Sequence, residues 1–228
     1  MSIAENVARI RAEMASAAIA AGRDPKEILL CAATKMNDAD AVRQAIAAGV
    51  DCCGENRVQE LTAKLAENAY EGAPVHFIGH LQTNKVKQVV GRVSMIESVD
   101  SLRLAQEISR RSEMLGITTD ILVEINSGRE ENKGGVLPED ARAAVRDFDA
   151  LAGIRVRGLM TMAPVCANIE DSRKYFRETY AIFIDIFEKN KHNIIEPILS
   201  MGMSSTYGIA IEEGATEVRV GQAIFGRR

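Results

Sequence analysis

The apolar run Ile28-Leu-Leu-Cys-Ala-Ala-Thr-Lys35 ends on an amine. Late in the chain, two short apolar runs end in small residues: Ile198-Leu-Ser-Met-Gly-Met-Ser204 and Glu217-Val-Arg-Val-Gly-Gln-Ala-Ile-Phe-Gly226. A lysine amine made nucleophilic by desolvation and a nearby cation forms imines with carbonyls. Ser200 offers a hydroxyl, while Gly202 and Gly221 let backbone N–H groups close on an anion. Arg219 alternates with Val218 and Val220, so it points away from them. If it lies inside the fold it needs a partner. A pyridine nitrogen would serve, as would an ion pair with Glu217 or Glu124. Taken singly, a lysine at a strand end is a surface lysine and each glycine a plain turn. Taken together, amine, anion cup and fixed cation suit an aldehyde cofactor carrying a phosphate, held as a Schiff base, with pyridoxal phosphate the candidate.

Other chemistry finds less support. His76 alternates with apolar neighbours in the manner of a satisfied core histidine, and His80 falls at a strand end near the expected mouth. A zinc site asks for more ligands at short spacing, and His192 is remote, so no metal is expected. No G-x-S-x-G elbow is present. Cys31, Cys52, Cys53 and Cys166 form no C-x-x-C pair. Adjacent Cys52 and Cys53 point opposite ways on a strand, and the pattern reads as reduced thiols in the cytoplasm.

Positioning these groups takes alternating elements. Ser2 to Ala21 carries Ile3, Val7, Ile10, Met14 and Ala17 on one helical face and stops at Gly22. Strands are expected at Ile28–Ala33, Val50–Cys53, Val75–Ile78, Met95–Ser98, Asp120–Asn126, Ile154–Met160, Ile198–Ser200 and Glu217–Val220. Helices fall between most of them: Ala39–Ala48 capped by Asp38, Arg57–Glu67, Asn84–Val90, Ser101 to Leu115, Pro138 to Phe148, Ile169–Asn190 and Tyr207–Glu213. Short connections force parallel strands and right-handed crossovers. Eight such units predict an α/β fold of the (β/α)8 TIM-barrel type, a single domain over 1–228 with an extra N-terminal helix. Its loops after strands seven and eight are where a phosphate would bind. An open doubly wound sheet is the competing fold, and the lack of G-x-G-x-x-G after the first strand counts against its dinucleotide version.

Composition agrees. Of 228 residues, 46% are hydrophobic, enough for a sizeable core, and the formal net charge of −4 gives no global attraction to nucleic acid or anionic membrane. Lys85, Lys87 and Arg92 read as a solvated helix face. No run approaches the ~18 apolar residues of a membrane span, and the N-terminus lacks the core of a signal peptide.

The blocks Ala33-Thr-Lys35, Gly54-Glu-Asn-Arg-Val-Gln-Glu60, His76-Phe-Ile-Gly-His-Leu-Gln-Thr-Asn-Lys85, Ser98-Val-Asp-Ser101, Gly158-Leu-Met-Thr161, Ser200-Met-Gly-Met-Ser204, Ala210-Ile-Glu-Glu-Gly214, Val218-Arg-Val-Gly221 and Ile224-Phe-Gly226 together resemble the YggS/PROSC family of pyridoxal-phosphate homeostasis proteins, which look like the barrel domain of alanine racemase standing alone. The resemblance implies that Lys35 forms the Schiff base and that Asn56 lies beside the cofactor ring. It further implies that Ser200, with backbone groups of Gly202, Gly221 and Gln222, holds the phosphate, that Arg219 faces the pyridine nitrogen, and that Met160 lines the pocket. Three positions depart from the family pattern. Gln222 stands where a threonine or serine is usual, Thr206 where an aspartate is usual, and Arg129 where a glycine is usual.

An arginine at the ring nitrogen stays protonated and disfavours a protonated pyridine, which weakens the ring as an electron sink. Racemases of the related fold recruit a tyrosine base from a second domain and a second subunit. This chain has no room for that domain, and Tyr70, Tyr175, Tyr180 and Tyr207 fall at no strand end. The expected role is a monomeric, cytoplasmic carrier in pyridoxal-phosphate homeostasis, with pyridoxal-phosphate-dependent apoenzymes as further partners and no robust turnover. A small amino-acid racemase is the alternative, and a phosphate-binding barrel enzyme of sugar metabolism the third reading.

Overall fold

The computed structural model describes residues 1–188 and 196–226. Eight parallel strands close a barrel in sequence order: β1 (Leu29–Ala33), β2 (Cys52–Glu55), β3 (Val75–Phe77), β4 (Met95–Val99), β5 (Thr119–Ile125), β6 (Ile154–Thr161), β7 (Ile198–Ser200) and β8 (Glu217–Val220). The helices are α1 (Ile3–Ala20), α2 (Ala39–Ala47), α3 (Val58–Ala66), α4 (Leu102–Met114), α5 (Ala141–Asp149), α6 (Arg173–Phe183), α7 (Tyr207–Glu212) and α8 (Gln222–Phe225). The expected TIM barrel is the observed one. Three expected helices differ in pitch. Between β3 and β4 the chain makes a 3-10 turn at Thr83–Gln88, and Pro138–Asp140 is a 3-10 entry to α5. The long helix from Ile169 divides into a 3-10 turn, α6 and a π segment at Ile184–Glu188. Its expected end at Asn190, like His192, lies outside the described residues.

Strand alternation builds two cores. Leu30 and Ala32 of β1, Cys53 of β2, and Val218 and Val220 of β8 point outward into the layer under the helices. Cys31, Cys52, Glu217 and Arg219 alternate with them and point into the barrel. Cys52 and Cys53 therefore do face opposite ways. The extra helix α1 starts with a capping box, in which Ser2 Oγ accepts from Glu5 N and Glu5 accepts from Ser2 N. It buries Val7, Ile10, Met14 and Ala18 against α2, α7 and α8. Because α8 has only four residues, α1 supplies the helical cover there, pinned by Asn6 Nδ2 donating to Ile224 O at 2.8 Å.

One irregularity sets the phase of the interior. β5 and β6 run in register to Ile121↔Val156, then resume at Leu122↔Gly158. The extra residue, Arg157, is drawn outside to Asp120 (2.9 Å). Beyond this bulge Leu159 faces the outer core as Val156 does before it, and Met160 turns inward. Gly158 makes the bulge possible. Its φ is +153°, and an added Cβ would collide with the Ile198 backbone. Gly158→Ala should cost about 2–4 kcal/mol by urea unfolding. A change under about 0.5 kcal/mol would contradict this account of the bulge.

Candidate functional site

β1 delivers Lys35 to the barrel mouth, and a buried polar clamp fixes the strand end beneath it. Thr34 N donates to Gly54 O (2.9 Å), and Thr34 Oγ1 donates to Glu55 Oε1 (2.6 Å). Lys64 Nζ reaches from α3 to Thr34 O (2.8 Å) and Glu55 Oε1 (2.5 Å), and Tyr70 OH donates to the same oxygen (2.9 Å). Glu55 is fully buried and Lys64 nearly so. A buried charge pair of this kind fixes geometry because displacing either partner leaves an uncompensated charge. The sequence reading missed Lys64. The signal was an amine in the inward stripe of α3 with Val58 and Leu61.

Lys35 is exposed on a cleft of ≈ 750 Å³ that it shares with Ala33, Ser204, Arg219, Gly221, Gln222 and Ala223. A cup of loop backbone lines this cleft. Ser204 Oγ accepts from the backbone N–H groups of Gly221 (3.2 Å) and Ala223 (3.3 Å). Gly202 adopts φ +93°, and an added Cβ would come within 2.5 Å of Ala210 Cβ, so only glycine turns the chain there. At Gly221 an added Cβ would lie 3.1 Å from Ala33 O. Thr206, where the family pattern has an aspartate, closes the turn before α7: its Oγ1 accepts from Met203 N (3.1 Å). Gln222 points to solvent at the rim. Arg129 sits at φ +49°, the region that favours glycine, and reaches Glu178 (2.8 Å) and Glu139 (3.2 Å).

Four predicted contacts, Ser200, Met160, Asn56 and Gly202, do not line the cleft. Ser200 points into the barrel below the mouth with no exposure, because it is the last residue of β7 on its inward face. Ser204, four residues on in the loop, does line the cleft. Met160 is buried against Met95 and Leu122, beneath the cleft rather than lining it. Asn56 lies in the loop after β2, and its Oδ1 is buried without a hydrogen-bond partner.

The floor of the cleft is Arg219, held from below. Its Nη1 donates to Ser200 Oγ (2.6 Å) and its Nη2 to Thr161 O (2.8 Å). Ser200 Oγ in turn donates to Glu97 Oε2 (2.7 Å), which stands 3.8 Å from Arg219 Nη1. The charge partner is therefore Glu97 on β4, rather than the Glu217 or Glu124 that the sequence suggested. Glu97 Oε1 meets His76 Nδ1 at 2.8 Å, and Glu217 Oε2 stands 3.7 Å from the same nitrogen. Burial alone would raise the Glu97 carboxyl, but the His76 hydrogen bond and the His76 and Arg219 charges bring it down to about 2. Burial and the Glu97 charge push Glu217 up to about 7. His80 is exposed, 3.5 Å from Asp100.

The alanine racemase N-terminal domain model matches residues 2–228. A curated relative from Aquifex aeolicus named pyridoxal phosphate homeostasis protein is 40% identical over 100% of this chain and 99% of its own. A second, from Pseudomonas aeruginosa, is 37% identical over 100% and 96%. The chain belongs to the pyridoxal phosphate homeostasis protein family. Among solved structures, the family member PipY of Synechococcus elongatus with pyridoxal phosphate bound superposes with a TM-score of 0.83 at 33% identity, covering 99% of this chain and all of that one. An alanine racemase of Clostridium difficile shares the fold at 18% identity and a TM-score of 0.73, covering 98% of this chain but 57% of the racemase.

The Glu97 carboxyl is depressed on folding, so its contribution is complete above the unfolded carboxylate value near 4.5 and is lost as pH falls from there to about 2. Glu97→Gln should be less stable than wild type at pH 6, and the gap should narrow as pH falls from 4.5 towards 2, measured by urea unfolding across that range. A gap that is constant or widens would show that Glu97 is not held ionised by His76 and Arg219.

Proposed function

We propose that this chain binds pyridoxal 5'-phosphate as a Schiff base on Lys35 and serves intracellular pyridoxal-phosphate supply without robust turnover. One observation carries the reading: Lys35, the Ser204–Gly221–Ala223 cup and the Arg219 guanidinium line one cleft. The residues present fit the cofactor. The unpartnered Asn56 Oδ1 is a buried acceptor in need of a donor, and the bare Cα of Gly221 leaves room that a side chain would take. Lys35 Nζ is the amine for the aldehyde. Ser204 Oγ and the neighbouring N–H groups suit the phosphate, and Arg219 suits the ring nitrogen. Ser204 offers the hydroxyl that Gln222 lacks.

Pyridoxal phosphate, when bound, supplies an aldehyde for amines and a ring that can accept electrons. Arg219 works against the second property. Guanidinium does not give up its proton, and Ser200, Glu97 and the Thr161 carbonyl hold it in place. No tyrosine lines the cleft among the described residues. Tyr70 donates to Glu55, and Tyr207 donates to Glu13. Binding without a positioned base supports a carrier that passes its cofactor to apoenzymes. All the groups come from one chain, which suits a monomer. Four free cysteines, three of them buried, suit a reducing cytoplasm, and among the described residues no helix is long and apolar enough to cross a membrane.

Borohydride reduction of the holo-protein followed by peptide mapping should place the pyridoxyl group on Lys35; a label confined to another lysine would overturn the assignment. Ser204→Ala should weaken pyridoxal phosphate by about 1–3 kcal/mol while leaving unphosphorylated pyridoxal unchanged. Equal losses for both vitamers would remove Ser204 from the phosphate.

Absence of turnover has its own test. Holo-protein incubated with L-alanine in deuterated water should leave the α-proton signal intact by NMR. Exchange at roughly 1 per second or faster would restore the racemase reading.

A further inference from the structure

Below the cleft, four strands bring together side chains that the chain keeps far apart. Cys31 of β1 and Cys52 of β2 are register partners, both inward and both buried. His76 of β3 and Glu217 of β8 complete the group, and one ligand atom from each lies within 4.8 Å of all the others. We propose that Cys31, Cys52, His76 and Glu217 form a structural site for a thiophilic divalent cation, zinc in the first instance.

The donor set suits zinc. Two sulfurs, one imidazole nitrogen and one carboxylate oxygen make a closed tetrahedral shell without water. Zinc bonds of about 2.0–2.3 Å place tetrahedral ligand atoms about 3.3–3.8 Å apart, so the group closes by roughly 1 Å through side-chain rotation. A second observation points into the same space. Glu217 is fully buried, and its Oε2 has no hydrogen-bond partner. Its other oxygen lies 3.2 Å from Ser200 Oγ, whose hydrogen is directed to Glu97 Oε2 at 2.7 Å. An orphaned carboxylate oxygen beside two thiols and an imidazole is a ligand set lacking its cation.

The surroundings are those of a structural site rather than a catalytic one. Ile78 and Cys31 Sγ both close on the space over Gly54, where an added Cβ would lie 2.7 Å from Ile78 Cδ1 and 2.9 Å from Cys31 Sγ. Glu97 holds His76 and is itself tied to Arg219 through Ser200, the outer support that metal-binding imidazoles require. Metal entry replaces protons: two leave the thiols and one leaves the His76–Glu217 pair, while four bonds form to the cation. Short spacing along the chain, the usual sign of a zinc site, is missing because each ligand comes from a different strand.

The test uses full-length protein stripped of cofactor with hydroxylamine, which takes the aldehyde as its oxime, and of metal by chelation. Cobalt(II) chloride alone is supplied, both to the folded protein and in the growth medium. One cobalt per chain by native mass spectrometry is expected, with thiolate charge-transfer absorption in the near ultraviolet and strong tetrahedral bands in the visible that zinc chloride bleaches. Cys31→Ser and Cys52→Ser should each remove most of the charge-transfer intensity. Cys166→Ser, in a half-exposed loop, should leave it intact and control for adventitious thiol binding. No stoichiometric cobalt by either route would overturn the site. So would a spectrum that survives both barrel substitutions or vanishes with Cys166→Ser.

Discussion

A cation inside a closed barrel dictates what the neighbouring strands must carry. Arg219 is 4% exposed, and an unpaired guanidinium there would cost several kcal/mol. β7, β4 and β6 answer with Ser200, Glu97 and the Thr161 carbonyl. Ser200 is the pivot because a hydroxyl can accept from the cation and donate to the anion at once. Glu97, now buried, calls for His76, and His76 brings Glu217 within range. Arg219 and Glu97 cancel, and His76 and Glu217 have one proton between them. These four groups balance one another, and the thiols of Cys31 and Cys52 lie beside them.

This chain of partners divides the barrel. Met95, Leu122, Met160 and Ile198 fill one side of the interior from β4 to β7. Cys31, Cys52, His76, Glu217 and Arg219 occupy the other, from β8 round to β3. The apolar side needs only shape, and the bulge at Gly158 supplies it by turning Met160 inward. The polar side needs each donor matched. The cleft shared by Lys35 and Arg219 opens over the polar side, where a fixed cation and a strand end locked by Glu55 and Lys64 can be presented without movement. Rigid elements beneath and a cup made of loop backbone above are what a binding site needs to recognise a small charged ligand.

Much of this was legible in the residues. Period-two alternation and glycine stops located all eight strands, because parallel strands under helices must be apolar on their outward face whatever lies within. The strand end at Lys35 and the turns at Gly202 and Gly221 were legible because strand ends and glycine turns are local properties. The partner of Arg219 was not. Glu217 and Glu124 were proposed from charge alone, whereas the observed partner comes from β4, and strand tilt and stagger decide which inward side chains meet. The exchange of Ser200 for Ser204 has a similar cause. Both serines lie in one short run, and which of them reaches the cup depends on where β7 stops.

The strand stop also explains why two serines in one run do different work. Ser200 is the last β7 residue and is bound by alternation to the interior, where water is excluded and its hydroxyl is consumed by Glu97 and Arg219. Ser204 follows the turn at Gly202, where the positive φ bends the chain over Ala210. Among the described residues its hydroxyl meets the N–H groups of Gly221 and Ala223, at 3.2 and 3.3 Å. Those bonds are long and exchangeable, the condition under which an incoming anion can take the donors over. One glycine thus separates a serine that fixes the cation from a serine that faces the cleft. The distance between the buried role and the cleft-facing one is four residues, from the end of β7 into its loop.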